Sequence, residues 1–234
     1  MCGRASLTKT EIELEERFGI PFYQEDIARY NPLPNYNIAP THRLPVILNT
    51  DPGHWHFLKW GLVPYWAKEE KIGYKMINAR CETLADKPAF REAYKRRRCL
   101  IPLDGFYEWR RVSKDEKQAF WVTLENEALF AVAGLWENWA DPGGQTLQTF
   151  TIITTTPNAL MVSIHDRMPA ILRREDERTW LADETDPLGL QQCLLPYPAT
   201  YMKATPVGPA VNHVRENNPD LIQATGEVLR EEDE

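Results

Sequence analysis

The stretch RCLIPLDGFYEWRRVSKDEKQAFWVTLENEALFAVAGLW, residues 98–136, decides the fold class. Aromatic and β-branched residues cluster at 99–103, 106–109, 120–124 and 129–136, and Asp-Gly or a short polar run bounds each cluster. Branched and ring side chains pack well on a pleated surface, while Gly, Asp and Asn interrupt it, so these clusters read as strands. Working outward, 44–48, 55–60 and 149–154 read the same way. Helical signals are fewer. Thr8, with Glu11 three residues on, predicts a capping box opening a helix that carries Ile12, Leu14 and Phe18 and stops at Gly19-Ile20-Pro21. Residues 87–95 and 175–182 read as short helices. Thr156-Pro157 reads as the cap and first turn of another, running to Val162. The proline-rich 31–45 reads as a long loop. The pattern predicts an α+β chain: one domain over 1–225 with a mainly antiparallel, barrel-like sheet and flanking helices. An acidic tail, 226–234, follows and ends in a frayed REEDE.

The bulk numbers agree. The chain has 234 residues, 43% hydrophobic and 26% charged, which excludes a disordered chain, a collagen-like fibre and a coiled coil. Its apolar runs fall well short of the roughly 20 residues of a membrane-spanning helix, so no membrane partner is expected. The start, MCGRASLTKTEIELEE, has no apolar signal core, which predicts a cytoplasmic protein. Cys2, Cys81, Cys99 and Cys193 lie far apart with no C-x-x-C pair, so a disulfide scaffold and a zinc ribbon are not expected. Cys81 and Cys99 read as buried hydrophobes and Trp60 as core. His54 and His56 lack a third ligand at useful spacing and read as strand residues. No glycine-rich phosphate loop occurs, and neither a metal nor another cofactor is expected. The net charge of −7 hides an asymmetry. Residues 75–111 hold ten Lys/Arg and five Asp/Glu (+5), whereas 11–26 (−5) and 216–234 (−6) are acidic. Because binding responds to the local field, a phosphate partner is compatible with the negative total. The KRRR run at 95–98 taken alone reads as a solvated helix end.

Cys2 follows the initiator methionine. Aminopeptidases remove Met ahead of a small residue, which would leave a terminal cysteine carrying a thiol and a free α-amine on adjacent carbons. Such an aminothiol condenses with an aldehyde to an imine, and its thiol then closes a five-membered thiazolidine. An internal cysteine lacks this route, because its nitrogen is an amide. The α-amine titrates near 7.7–8.0, so roughly a tenth is neutral at pH 7. The same residue also suits a thiolate nucleophile using its own amine as base, as in N-terminal-nucleophile amidohydrolases and peptidases. From these residues alone both remain open, alongside a single-strand-binding module for which Cys2 is dispensable.

Six motifs in order, MCGR (1–4), YNIAP (36–40), KWGLVPYW (59–66), MINARCET (76–83), RCLIPLDGFYEW (98–109) and IHDRMPAIL (164–172), resemble the SRAP family of abasic-site processing proteins. The resemblance spans residues 1 to about 215. It implies a covalent link between Cys2 and the aldehyde of an abasic site in single-stranded DNA, together with a self-processing peptidase step that releases Met1 and a lyase-type activity. It makes Asn78 the amide that orients the α-amine, and Glu108 and His165 the proton carriers, with Thr154 sharing the histidine's proton network. Arg4, Arg80 and Arg167 become flexible phosphate contacts and Trp66 a base-stacking residue. By strand alternation alone, Glu108 would point outward. For a bacterial member the resemblance places the protein at the nucleoid.

Overall fold

A computed structural model describes residues 2–231. The strands are β1 Ala5–Leu7, β2 Asn35–Ile38, β3 Arg43–Leu48, β4 Asp51–Trp60, β5 Asn78–Arg80, β6 Arg98–Leu103, β7 Gly105–Arg111, β8 Lys117–Leu124, β9 Phe130–Ala140, β10 Thr146–Thr155, β11 Met168–Pro169, β12 Ile171–Leu172, β13 Met202–Val207 and β14 Leu229–Arg230. Among the described residues four α-helices accompany them: α1 Glu11–Phe18, α2 Arg91–Arg96, α3 Asp176–Leu181 and α4 Pro187–Cys193. The fold is single-domain α+β, as the strand pattern predicts. No described helix is long and apolar enough to cross a membrane.

Five strands, β10–β4–β3–β6–β9, close into a ring because β9 also pairs with β10, from Thr146↔Ala140 to Ile152↔Gly134. A second sheet runs β14–β13–β8–β7–β1–β2. Pairing is antiparallel except where β10 runs parallel to β4 and β5. β9 is buried without a break from Phe130 to Glu137, because β6 and β10 flank it within the ring and its two faces are covered. Gly134 lies at the tightest point. A Cβ there would meet Ile101 Cδ1 at 2.5 Å and Cys99 Sγ at 2.9 Å, so only glycine lets the neighbouring side chains approach.

The structure corrects several sequence expectations. Thr10, not Thr8, caps α1, with Glu13 closing the capping box, because Thr8 is taken by Asp104, whose Oδ2 accepts from Thr8 N at 2.7 Å and from Thr8 Oγ1. Gly19 ends α1 in the left-handed region. The loop expected over 31–45 contains β2 and the start of β3. The helix expected over 156–162 is reduced to a 3-10 turn at Met161–Ser163. There the Asn158 side chain accepts from Met161 N at 2.9 Å and donates to Tyr197 O at 2.7 Å, drawing the backbone away from a helix. Within the expected frayed end, Arg230 belongs to β14 and pairs with Lys203. Glu231 follows it outside any strand or helix, and 232–234 lie outside the described residues. Trp60 is core and Cys99 fully buried, but Cys81 is half-buried and its thiol donates to Thr155 Oγ1 at 3.6 Å. His54 and His56 are strand residues whose rings both meet Asp51.

The KRRR run is not one solvated face. Arg98 is 1% exposed. Its guanidinium donates to Tyr94 O, Lys95 O, Trp180 O and Ala182 O at 2.7–3.0 Å, so one cation satisfies the C-terminal carbonyls of both α2 and α3. Arg98→Met leaves those carbonyls without their donors and is expected to cost about 3–5 kcal/mol. Thermal unfolding should read this as a drop of roughly 10 °C, and a midpoint within about 2 °C of wild type would refute the capping role.

Candidate active site

The site is assembled where the chain start meets β7. Ala5 pairs with Phe106 and Ser6 with Gly105, and Tyr107 N donates to Arg4 O at 2.9 Å. Continuing this register lays residues 2–3 beside Glu108. Cys2 is fully buried, its Sγ 3.9 Å from Arg4 O. Burial, reinforced by the nearby Glu108 carboxylate, pushes the thiol far above its ordinary value, so the thiol keeps its proton. Glu108 is 2% exposed, contrary to the outward orientation that alternation predicts. Phe106 and Tyr107 on the same strand are buried with it, and loss of water pushes its carboxyl up to about 7.

His165 arrives from the other sheet, on the loop between the 3-10 turn and β11, and its Nε2 lies 3.8 Å from Glu108 Oε2. Burial lowers its pKa, which favours the neutral ring near pH 7. Arg167 N donates to Nδ1 at 3.1 Å. A backbone N–H can only donate, so this contact needs a lone pair on Nδ1 and places the ring proton on Nε2, toward Glu108; Asp166 Oδ1, 3.0 Å from the same Nδ1, competes for it.

β5 and β11 flank the end of β10. Asn78 pairs with Ile152, Arg80 with Thr154, and Thr154 with Pro169. The Asn78 amide is buried at both its nitrogen and oxygen, and neither has a partner among the described residues. Thr154 is tied to the histidine loop through Arg167, whose Nη2 donates to its backbone oxygen at 2.6 Å. Two of the arginines are not the flexible arms expected from sequence. Arg4 Nη1 donates to Asn37 Oδ1 and Val211 O at 2.7 and 2.6 Å, and Arg167 is 8% exposed and ion-paired to Glu82. Both cross-link separate segments, whereas Arg80 is exposed. Trp66 is 48% exposed on a loop held by Trp139 Nε1 donating to Ala67 O at 2.7 Å, and Tyr65 and Tyr74 are exposed nearby in sequence. Sequence reading passed over Glu82 and these tyrosines. The acid inside MINARCET and the aromatics flanking a lysine-rich stretch were their signals.

Residues 1–214 match the family described as SOS response associated peptidase (SRAP). The chain belongs to the SRAP family. Among SRAP relatives, the abasic site processing protein YoqW of Bacillus subtilis is 46% identical over 226 residues, covering 96% of this chain and all of that one. The abasic site processing protein HMCES of Xenopus tropicalis is 32% identical, covering 82% of this chain and 66% of its own. A crystal structure of a protein from Bacteroides thetaiotaomicron superposes with a TM-score of 0.88 at 29% identity, covering 96% of this chain and all of that one. Three of the motifs quoted above, MCGR, RCLIPLDGFYEW and IHDRMPAIL, thus supply the residues that converge from the chain start, β7 and the histidine loop.

Proposed function

We propose that this protein processes abasic sites by cross-linking Cys2 to the abasic aldehyde in single-stranded DNA. The observation that carries the reading is the convergence of a buried protonated thiol, a carboxyl titrating near neutrality and a neutral imidazole on one another. Removal of Met1 frees the α-amine. The amine attacks the aldehyde carbon, and the carbinolamine loses water to give the imine. The thiol then adds across the C=N bond: sulfur bonds to carbon, its proton ends on nitrogen, and nothing is oxidised or reduced. A thiol that retains its proton fits this order, with amine first and sulfur second. It fits poorly with a thiolate that opens an amide, the amidohydrolase reading. His165, with its proton on Nε2, supplies a proton to the ring oxygen as the closed sugar opens, and Glu108 shuttles protons at nitrogen and at the departing water. Asn78 offers its unpartnered amide oxygen to the α-amine. Because an abasic nucleotide has no base to unstack, its entry costs little.

The test is direct: incubate the protein with an abasic oligonucleotide and with its intact counterpart, denature, and separate. A denaturation-resistant adduct with the abasic strand alone supports the reading, and none with either refutes it.

Strand holding falls to exposed groups. Trp66 stacks on a base, worth about 1–3 kcal/mol. Arg80 neutralises a phosphate. For single strands, log K falls with log salt by about 0.7 per phosphate contact. In a Cys2→Ala background, Arg80→Ala is therefore expected to weaken binding and to flatten the slope by about 0.7, read by fluorescence anisotropy across a salt series. An unchanged slope removes Arg80 from the phosphate contacts.

A further inference from the structure

Two groups contend for one nitrogen of His165. The Arg167 backbone N–H donates to Nδ1 at 3.1 Å, while Asp166 Oδ1 lies 3.0 Å from the same atom. The N–H requires a lone pair on Nδ1, and the carboxylate requires a proton there, so one neutral imidazole cannot serve both. The winner sets the tautomer. With Arg167, the proton is on Nε2, which faces Glu108 Oε2 at 3.8 Å. With Asp166, Nε2 turns a bare lone pair toward that carboxylate and has no proton to give.

The two contenders differ in restraint. The Asp166 side chain is 82% exposed, where water screens it and competes for its oxygens. Arg167 is pinned. Its Nη1 and Nη2 form a fork with the two oxygens of Glu82 at 2.5 and 3.0 Å, and Nη2 also donates to Thr154 O. A bidentate pair of this kind fixes orientation as well as energy. Glu82 lies in the turn Cys81–Thr83 that directly follows β5, so the fork fastens the histidine loop to the strand carrying Asn78 and Arg80.

We propose that Glu82 is a positioning residue: by clamping Arg167 it keeps that residue's backbone N–H on His165 Nδ1 and so holds the imidazole in the tautomer that can donate from Nε2. This rests on the acid role given to His165 above. It assigns Glu82 a part in the chemistry at one remove, through Arg167 and the His165 ring.

The test reads the tautomer itself. Long-range proton–nitrogen NMR of the ¹⁵N-labelled free protein, at about pH 8 where an imidazole of ordinary pKa near 6.5 is neutral, should show His165 protonated on Nε2. Glu82→Gln keeps the size but loses the charged fork. It should move the proton toward Nδ1 and slow adduct formation by at least about tenfold, with the roughly 10²–10⁴-fold that a placed acid–base group contributes as the ceiling. Adding Asp166→Ala to Glu82→Gln removes the competitor and should restore both the Nε2 tautomer and the rate, a recovery that mere loosening of the fold would not give. Should Glu82→Gln fail to fold, Glu82→Asp, which keeps the charge but shortens its reach, carries the same comparison. A folded Glu82 variant that retains the Nε2 proton, or a double variant that fails to recover, overturns the proposal. Because the tautomer is read without DNA, failure of the wild type to form an adduct would sink the cross-linking reading and leave this result standing.

Discussion

Cys2→Ala is expected to abolish the denaturation-resistant adduct with an abasic oligonucleotide while retaining non-covalent binding to it. The alanine variant, once its methionine is removed, still offers an α-amine, and that amine still condenses with the aldehyde. The imine it forms hydrolyses, however, because no sulfur is present to close the ring. Intact-mass analysis should show wild type without Met1 and, after reaction, a gain equal to the strand less one water. Protein that retains Met1 has an amide at Cys2 nitrogen and should give no stable adduct, and one forming there would eliminate the thiazolidine route. The same experiment separates the competing classes. A thiolate amidohydrolase would turn over a small amide without DNA and lose that turnover with Cys2→Ala. A simple strand-binding module would bind abasic and intact strands alike and be indifferent to Cys2. The structure favours the first outcome because the thiol sits fully buried beside Glu108, where negative charge and lack of water both oppose its ionisation.

The strands were legible in the sequence because their residues carry a local signal. The runs at 99–103 and 120–124 fall within β6 and β8, where branched and aromatic side chains are fitted to a pleat. What local signal cannot carry is the identity of a distant partner. Thr8 looks like a cap until Asp104, far along the chain, claims it. Arg98 looks like a solvated charge until two helices end on it. Ring closure is of this kind too: β10 lies parallel to β4 across a long stretch of intervening sequence, and no periodicity in either strand announces that. The close approach at Gly134, where a Cβ would meet Ile101 and Cys99, belongs to the same class, because both neighbours lie on β6 and not beside it in sequence.

The site divides along the same line. Motif resemblance pointed to Cys2, Glu108 and His165, and the structure brings the three together from β7, the chain start and a loop of the other sheet. The raised carboxyl of Glu108 was legible from its aromatic neighbours Phe106, Tyr107 and Trp109, which exclude water, whereas the burial that keeps the Cys2 thiol protonated was not. Alternation along GFYEW places Glu108 outward, and it is the covering of β7 on both sides that reverses this. Arg167 shows the opposite failure. Its residue type and motif suggested an arm reaching for phosphate, but the acid that holds it, Glu82, stands 85 positions away and has meaning only in the fold.

Glu108→Gln should slow adduct formation by about 10²–10⁴-fold and, because the same proton transfers operate in reverse, slow adduct release as well. The pH dependence identifies the group. With its carboxyl pushed up to about 7, Glu108 is protonated on the acid side, while the α-amine must be neutral to attack and has a reference value of about 7.7–8.0. Wild type should therefore show a bell, rising as the amine loses its proton and falling as Glu108 loses its own. In Glu108→Gln the falling limb should vanish and the rising limb remain. Stability should move the other way. A carboxyl whose folded-state value is raised binds its proton more tightly folded than unfolded. Between the unfolded value near 4.5 and the folded value near 7, the native state thus holds more protons, and stability falls as pH rises, levelling off above 7. A shift of this size corresponds to something on the order of 3 kcal/mol lost by pH 8, a penalty the neutral amide of Glu108→Gln does not incur. Denaturant unfolding at pH 5 and pH 8 should find the variant's advantage small at the lower pH and larger at the higher. A slower but more stable variant marks Glu108 as a carboxyl that the fold holds at a cost for the sake of chemistry. A variant that is slower and also less stable at pH 8 would make it a structural acid and leave the proton transfers to His165.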